Sequence, residues 1–363
     1  MLNGIVLTRY GHGLPLKRIT VIEAGHPVPD EQGEQAARRI LAEVEKLGAD
    51  DLLLCLVSGG GSSLLSLPVA GVSIDDLQNV TRELLRCGAA IQEINTVRKH
   101  LSAVQGGRLA ASCRAKVLAL IISDVAGDDP THIASGPCAP DPTTFSDALG
   151  ILEYYRINTP AAVMEVLLAG ARGKRNETPK PGDAVFRNVE NRVIATAHDS
   201  LLAAADYFRH QGIPAAILGD SITGEARDVA KVFAALVKEI RLYGQPWKAP
   251  VALISGGETT VTLQADGRGG RNTEFLLSLA IELNGLPEVY ALACDTDGID
   301  GSENNAGAIA ASDSLHRARQ LDIDAVALLA GNNAYTFFEQ LGDLVVTGPT
   351  RTNVNDYRVI LVA

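Results

Sequence analysis

The strongest constraint on this chain is a recurring three-part pattern. A short apolar run is followed by a turn of glycine or acidic residues, and then by a stretch with helical spacing. Ile5–Thr8 runs into Tyr10-Gly11-His12-Gly13, Leu52–Val57 into Ser58-Gly59-Gly60-Gly61, and Lys116–Ser123 into Asp124. Val193–Thr196 leads to His198-Asp199, Ala215–Leu218 to Gly219-Asp220, Val251–Ile254 to Ser255-Gly256-Gly257, and Tyr290–Cys294 to Asp295. Runs this short and this rich in aliphatic residues predict strands. Segments between them, such as Glu34–Leu41, space their apolar residues as a helix does. The alternation predicts a Rossmann-like, doubly wound α/β sheet, with ligands gathered beyond the carboxyl ends of its strands.

At 363 residues the chain is long for one core and predicts two domains. Lys174–Gly182 is charged and proline-rich and reads as an exposed loop. The break at Leu242–Trp247, just before the strand at Val251, divides an N-terminal domain, 1–245, from a C-terminal α/β domain, 246–363. Aromatics make up only 4% of the chain, and the small aliphatics that replace them suit helices packed on a buried parallel sheet. The net charge of −11 comes without any basic tract, which argues against a nucleic-acid partner. No run approaches the roughly 20 apolar residues of a membrane span, and no signal peptide opens the chain. Five cysteines without a C-x-x-C pair predict buried free thiols in a reducing cytoplasm.

Several turns carry residues suited to chemistry. In Ser58-Gly59-Gly60-Gly61-Ser62-Ser63, three glycines let backbone N–H groups converge, serines add donors, and a following helix would offer its positive end to an anion. Neither G-K-[ST] nor G-x-G-x-x-G is present. Asn95–Ser102 brings Arg98 and Lys99, which suit a carboxylate or phosphate, and continues to Gln105-Gly106-Gly107-Arg108. Asp124 opens the acidic turn Ser123–Pro130 and suits either magnesium or a general base. Ser255-Gly256-Gly257-Glu258 reads as a second serine-glycine turn, and Arg271 follows in Gly267–Glu274, where a mobile, bulk-free backbone would let its guanidinium reach a phosphoryl group. Asp295, Asp297 and Asp300 form a turn that suits magnesium held with nucleotide phosphates. Thr347–Asp356 is a polar loop that could line a site or simply cap itself. No zinc spacing and no G-x-S-x-G elbow occur.

Taken in order, SGGGSSLL, NTVRKHLS, SDVAGDDPTHIASGP, SGGETTVTL, GRGGRNTEF, CDTDGIDG and TGPTRTNVND resemble the glycerate kinases with a C-terminal MOFRL domain, a family also labelled hydroxypyruvate reductase from tartrate degradation. The resemblance covers nearly the whole chain. It implies transfer of the ATP γ-phosphoryl group to D-glycerate, giving 2-phosphoglycerate, with Mg²⁺ required and the site in a cleft between the two domains. Ser58, Gly59, Gly60, Gly61, Ser62, Arg98, Lys99, Ser255, Gly256, Gly257 and Glu258 would bind substrate or phosphate. Asp124, Arg271 and Asp297 would be catalytic, with Asp124, Asp295 and Asp297 at the metal. A homodimer is the assembly kept open.

Two departures stand beside the resemblance. The family usually carries a further strand, a lysine-bearing glycine turn and a helix ahead of the segment matching GIVLTRYGHG, and it commonly has lysine where this chain has Gln105. Two rivals remain: an NAD(P)H-dependent hydroxypyruvate reductase, and a non-catalytic sugar-acid or nucleotide-binding protein if that lysine-bearing segment is essential.

Overall fold

The computed structural model describes residues 2–125 and 127–363, so Ala126, within the acidic turn, lies outside the described residues. They form two compact units, 1–194 and 195–363.

In the first unit, β1 (Gly4–Arg9) pairs in parallel with β2 (Ile19–Ala24). A second sheet has the order β3 (Leu52–Val57), β4 (Lys116–Ile122), β5 (Val189–Ala195), with β3 and β4 parallel. Asp30 starts the helix Glu31–Glu45 by accepting from the Gly33 N–H, and its other oxygen accepts from the Gly25 N–H and the Tyr10 hydroxyl. This fixes the entry to the helix by satisfying one of its orphan donors. The helices Ile74–Arg86, Ile91–Leu101, Phe145–Tyr154 and Ala161–Ala171 bury Leu77, Leu84, Ile94, Val97, Phe145 and Leu167 among themselves. The β3 strand departs from expectation. An uninterrupted apolar run predicts burial on both faces, yet Leu52, Leu54 and Leu56 are exposed, Leu56 at 71%.

The second unit is built on a six-stranded sheet, in the order β10 (Leu344–Val345), β9 (Gly307–Ala311), β8 (Val289–Asp295), β11 (Asp356–Val362), β7 (Val251–Gly257), β6 (Ala215–Gly219). Only β6 and β7 are parallel; β11 runs antiparallel to β7 and β8, and the remaining pairs are antiparallel too. The α/β architecture therefore holds, with a mixed second sheet in place of a parallel one. Phe233 of the helix Ala226–Tyr243 meets Phe275 of the helix Arg271–Leu283 edge to face, at 5.5 Å between ring centroids. These helices and Phe337, Phe338 and Ile360 share one core.

The boundary expected at 245/246 falls inside the second unit. The reason is strand pairing: β6 is hydrogen-bonded to β7, and the helix Ala197–His210 packs through Leu201 and Ala205 against Ala252 and Ile254. Among the described residues, no helix is long and apolar enough to cross a membrane.

Candidate active site

Three of the sequence motifs converge in the first unit. The turn after β3 carries Gly60 at φ +79°, a conformation that favours glycine. A Cβ on Gly59 would stand 1.9 Å from Asp124 Oδ2, one on Gly60 would stand 3.0 Å from His26 Nε2, and one on Gly61 would stand 2.6 Å from the Ala134 Cβ. The glycines thus let a carboxylate, an imidazole and the next motif close on the backbone. The expected helix after the turn is one turn long, Gly61–Leu64. So few aligned peptides make little macrodipole, and an anion here would depend on hydroxyls and individual N–H groups.

The Ser62 hydroxyl lies 2.8 Å from the Ser135 hydroxyl, which donates to Asn95 Oδ1 at 3.1 Å. The same Asn95 oxygen accepts from Arg98 Nη1 at 3.1 Å. Gln105 is buried and ties the turn down, donating to the carbonyls of Ser62 and Leu65. Burial lowers the Arg98 pKa to about 10. Lys99 is engaged elsewhere. At 1% exposure its ammonium meets Asp141 at 3.1 Å, and Asp141 also accepts from Thr143 and Thr178. Of the two adjacent basic residues expected to bind substrate, Lys99 is therefore committed to the protein's own frame.

The second constellation is assembled by sheet register. Asp356, at the start of β11, lies opposite Gly257 of β7 and Asp295 of β8. Arg271, the first residue of its helix, spans the group: Nε donates to both Asp356 oxygens at 2.9 and 3.0 Å, Nη2 to Asp295 at 2.8 Å, and Nη1 to Glu258 at 2.8 Å. Burial opposes the Arg271 charge, but Asp356, Glu258 and Asp295 outweigh it and raise the pKa above the usual arginine value. Arg358, at 1% exposure, donates to Asp356 from the other side at 2.6 Å. Burial, with Asp297 and Asp356 adding repulsion, pushes the Asp295 carboxyl up to about 7. Asp297 follows on the same loop; its backbone N–H donates to Asp295, and its carboxylate accepts from the Ile299 N–H. Burial pushes the Cys294 thiol up to about 12, which disfavours a thiolate nucleophile.

Asp300 holds the helix that bears Arg271. It accepts from the backbone N–H groups of Asn272 and Thr273 and from the Thr273 hydroxyl, at 2.8–2.9 Å. This is a helix cap supplied from a distant loop. The sequence motifs contain Asp300 and Asp356, but the helix start that each of them holds, at Arg271–Thr273, is far away in the chain, so no local signal marks those roles. Arg358 is signalled only as a charge inside an apolar strand.

Two expectations change. Ser255-Gly256-Gly257 is the end of β7, fully buried and paired with Arg358, Tyr357 and Asp356, and not a turn beyond the strand. A Cβ on Gly257 would stand 2.3 Å from the Ile222 backbone, so close chain packing accounts for this glycine without a phosphate. The glycines before Arg271 are likewise packed, not mobile. A Cβ on Gly267 would meet the Gly331 carbonyl at 2.1 Å, and one on Gly270 would meet Asp300 at 2.4 Å.

The first unit sets a glycine turn against a strand-end aspartate, and the second braces an arginine with carboxylates; both are kinds of group that phosphoryl transfer uses. The comparisons are more specific. Residues 1–168 match the model described as a domain of unknown function (DUF4147), and residues 251–356 match the MOFRL family. A protein named as a hydroxypyruvate reductase from Agrobacterium vitis is 52% identical, over 99% of this chain and 81% of its own length. The glycerate 2-kinase of Pyrococcus horikoshii is 42% identical, over 99% of this chain and 82% of its own. The crystal structure of a glycerate kinase from Thermotoga maritima, also 42% identical, superposes with a TM-score of 0.89, covering 99% of this chain and 85% of that one. The chain belongs to the MOFRL-domain glycerate kinase family.

Proposed function

We propose that this chain transfers the γ-phosphoryl group of ATP to the 2-hydroxyl of D-glycerate, with Mg²⁺. The observation that carries this reading is the contact between Gly59 and Asp124: a strand-end carboxylate lies directly against a bulk-free, serine-flanked turn. That proximity supports a carboxylate orienting or deprotonating a hydroxyl beside donors that hold phosphate oxygens. The relatives named glycerate 2-kinase support the substrate.

Asp124, Asp295 and Asp297 are hard oxygen donors. Among the described residues, no group of three or more His, Cys, Asp or Glu could hold a metal by itself. Each of these aspartates is the kind of ligand of which magnesium takes one or two, completing its shell with water and phosphate. When bound, it would neutralise charge on the phosphate oxygens. Arg271 stabilises the transferring phosphoryl group, and to do so it gives up a partner. Glu258 is exposed and is the partner most easily exchanged, whereas buried Asp356 continues to fix the guanidinium. Asp297 steadies the loop beside it.

The test is a pair of assays on the same preparation: ADP formation with D-glycerate, ATP and Mg²⁺, and NADH oxidation with hydroxypyruvate. Glycerate-dependent ADP formation is expected. NADH oxidation without ADP formation would favour the reductase name carried by some relatives and reject the kinase reading.

A further inference from the structure

Arg98 and Lys99 are neighbours on the helix Ile91–Leu101, and their surroundings differ in kind. Lys99 has a buried carboxylate partner. Arg98 is 7% exposed and, among the described residues, has no carboxylate within ion-pair distance. Its one hydrogen bond goes to a neutral amide oxygen, and its buried Nε has no partner. Removing a cation from water without a counter-ion is costly. A position that needed only volume would be better served by methionine or leucine.

A second observation points the same way. Ala134, Ser135 and Gly136 are all left-handed, at φ 51°, 57° and 58°. For a residue with a Cβ this costs about 1–2 kcal/mol, and such strain persists where the surroundings enforce it, often at ligand sites. Here it holds the buried Ser135 hydroxyl between Ser62 and Asn95. The result is an ordered line of groups: two hydroxyls, an amide oxygen, and a guanidinium with an unused N–H. A short hydroxy acid has the complementary order, hydroxyls at one end and a carboxylate at the other.

We infer that Arg98 receives the carboxylate of the acceptor, a short hydroxy acid, with the part-buried Ser62 hydroxyl, held in place by Ser135, meeting its hydroxyl groups, while Lys99 belongs to the frame. The inference rests on the glycerate reading for the identity of the acid. An uncompensated guanidinium calls for an anion from outside the protein, and its planar fork suits a carboxylate. Arg98 thereby separates hydroxy acids from polyols of the same length.

The experiment is a thermal melt of the full chain with D-glycerate, with glycerol, and with inorganic phosphate, none of which requires turnover. D-glycerate at on the order of 10 mM should raise the wild-type Tm by selective binding to the folded state, and glycerol should not. Arg98→Met should melt cooperatively at or above the wild-type Tm, because it removes an unpaired buried charge, and its affinity for D-glycerate should fall by about 100-fold or more. If Arg98→Met fails to fold, Arg98→Lys keeps the charge without the fork, and an affinity loss of about tenfold is expected. An undiminished glycerate shift in whichever variant folds overturns the inference. So does a wild-type Tm that D-glycerate does not move, or a phosphate shift that disappears in the variant while the glycerate shift survives. If glycerate protects through Arg98 but no ADP forms in the assay, the kinase reading fails and the carboxylate site stands.

Discussion

In the first unit, Arg98 is buried against neutral oxygens, with no carboxylate in reach among the described residues. In the second, Arg271 has three carboxylates, and one of them is shared with another buried arginine. The first cation has an amide partner but no counter-ion among the described residues, and so awaits one. The second is already satisfied, and its geometry is fixed before any ligand arrives. Charge left over recognises an incoming anion, whereas charge already neutralised supplies a rigid, directed donor whose aim does not depend on the substrate.

The two arginines should therefore fail in different ways. Arg271→Met leaves Asp356 and Asp295 without their cation. We expect kcat to fall by about 10³-fold and unfolding in urea to show a loss of about 3 kcal/mol. Unchanged stability would break the comparison, since the network would then not be holding the second unit together. Read from sequence alone, Arg271 is a catalytic group, and nothing local shows that it also holds three carboxylates together.

The next largest effect tests the brace behind Arg271. Asp300→Ala removes four hydrogen bonds at the start of the helix, and a stability loss of about 2 kcal/mol is expected, accompanied by a lower kcat with little change in KM for D-glycerate. A variant as stable as wild type would show that the helix start is capped by something else.

The smallest effects are slopes of stability against pH, with opposite signs in the two units. His100 is buried against Glu177, Asp141 and Lys180, and burial lowers its pKa. The folded state then resists protonation, so its contribution is present above about pH 6.5 and is lost as pH falls through the depressed value. The Asp295 carboxyl, raised to about 7, does the reverse. Its contribution is full below its unfolded value near 4 and is lost as pH rises towards 7. Melts in EDTA should show His100→Gln flattening the acidic slope and Asp295→Asn flattening the slope between about pH 4 and 7. Parallel slopes in both variants would contradict the assignment.

Strands whose side chains are bulky and apolar were legible in the sequence. Leu52–Val57, Lys116–Ile122 and Val251–Ile254 announce themselves through local composition. Gly307–Ala311 does not, because small residues carry no periodicity, and Leu344–Val345 is too short to register. β11 contains Arg358, whose burial makes sense only beside Asp356 and Thr259, the latter 99 residues earlier. The site was legible in its parts and not in their relations. Arg98 and Lys99 look alike in a sequence, yet one step around a helix sends the lysine towards Asp141, 42 residues on, and leaves the arginine with Asn95. The glycines around Arg271 were visible, but their reason was not: they admit neighbouring backbone, which no local pattern encodes.

The placement of β11 has a consequence for how the molecule is made. A chain leaving the ribosome presents β6 and β7, then β8, β9 and β10, and only afterwards the strand that joins the two groups. Until β11 inserts, β7 and β8 have no shared neighbour, and Arg271 lacks Asp356, the partner that aims it. Closing so long a loop is slow, and half-built sheets expose unpaired edges. The Arg271 network is thus completed only when the last strand is in place. Short of that step, a nascent chain offers a chaperone two open strand edges, and its Arg271 guanidinium points without Asp356 to aim it.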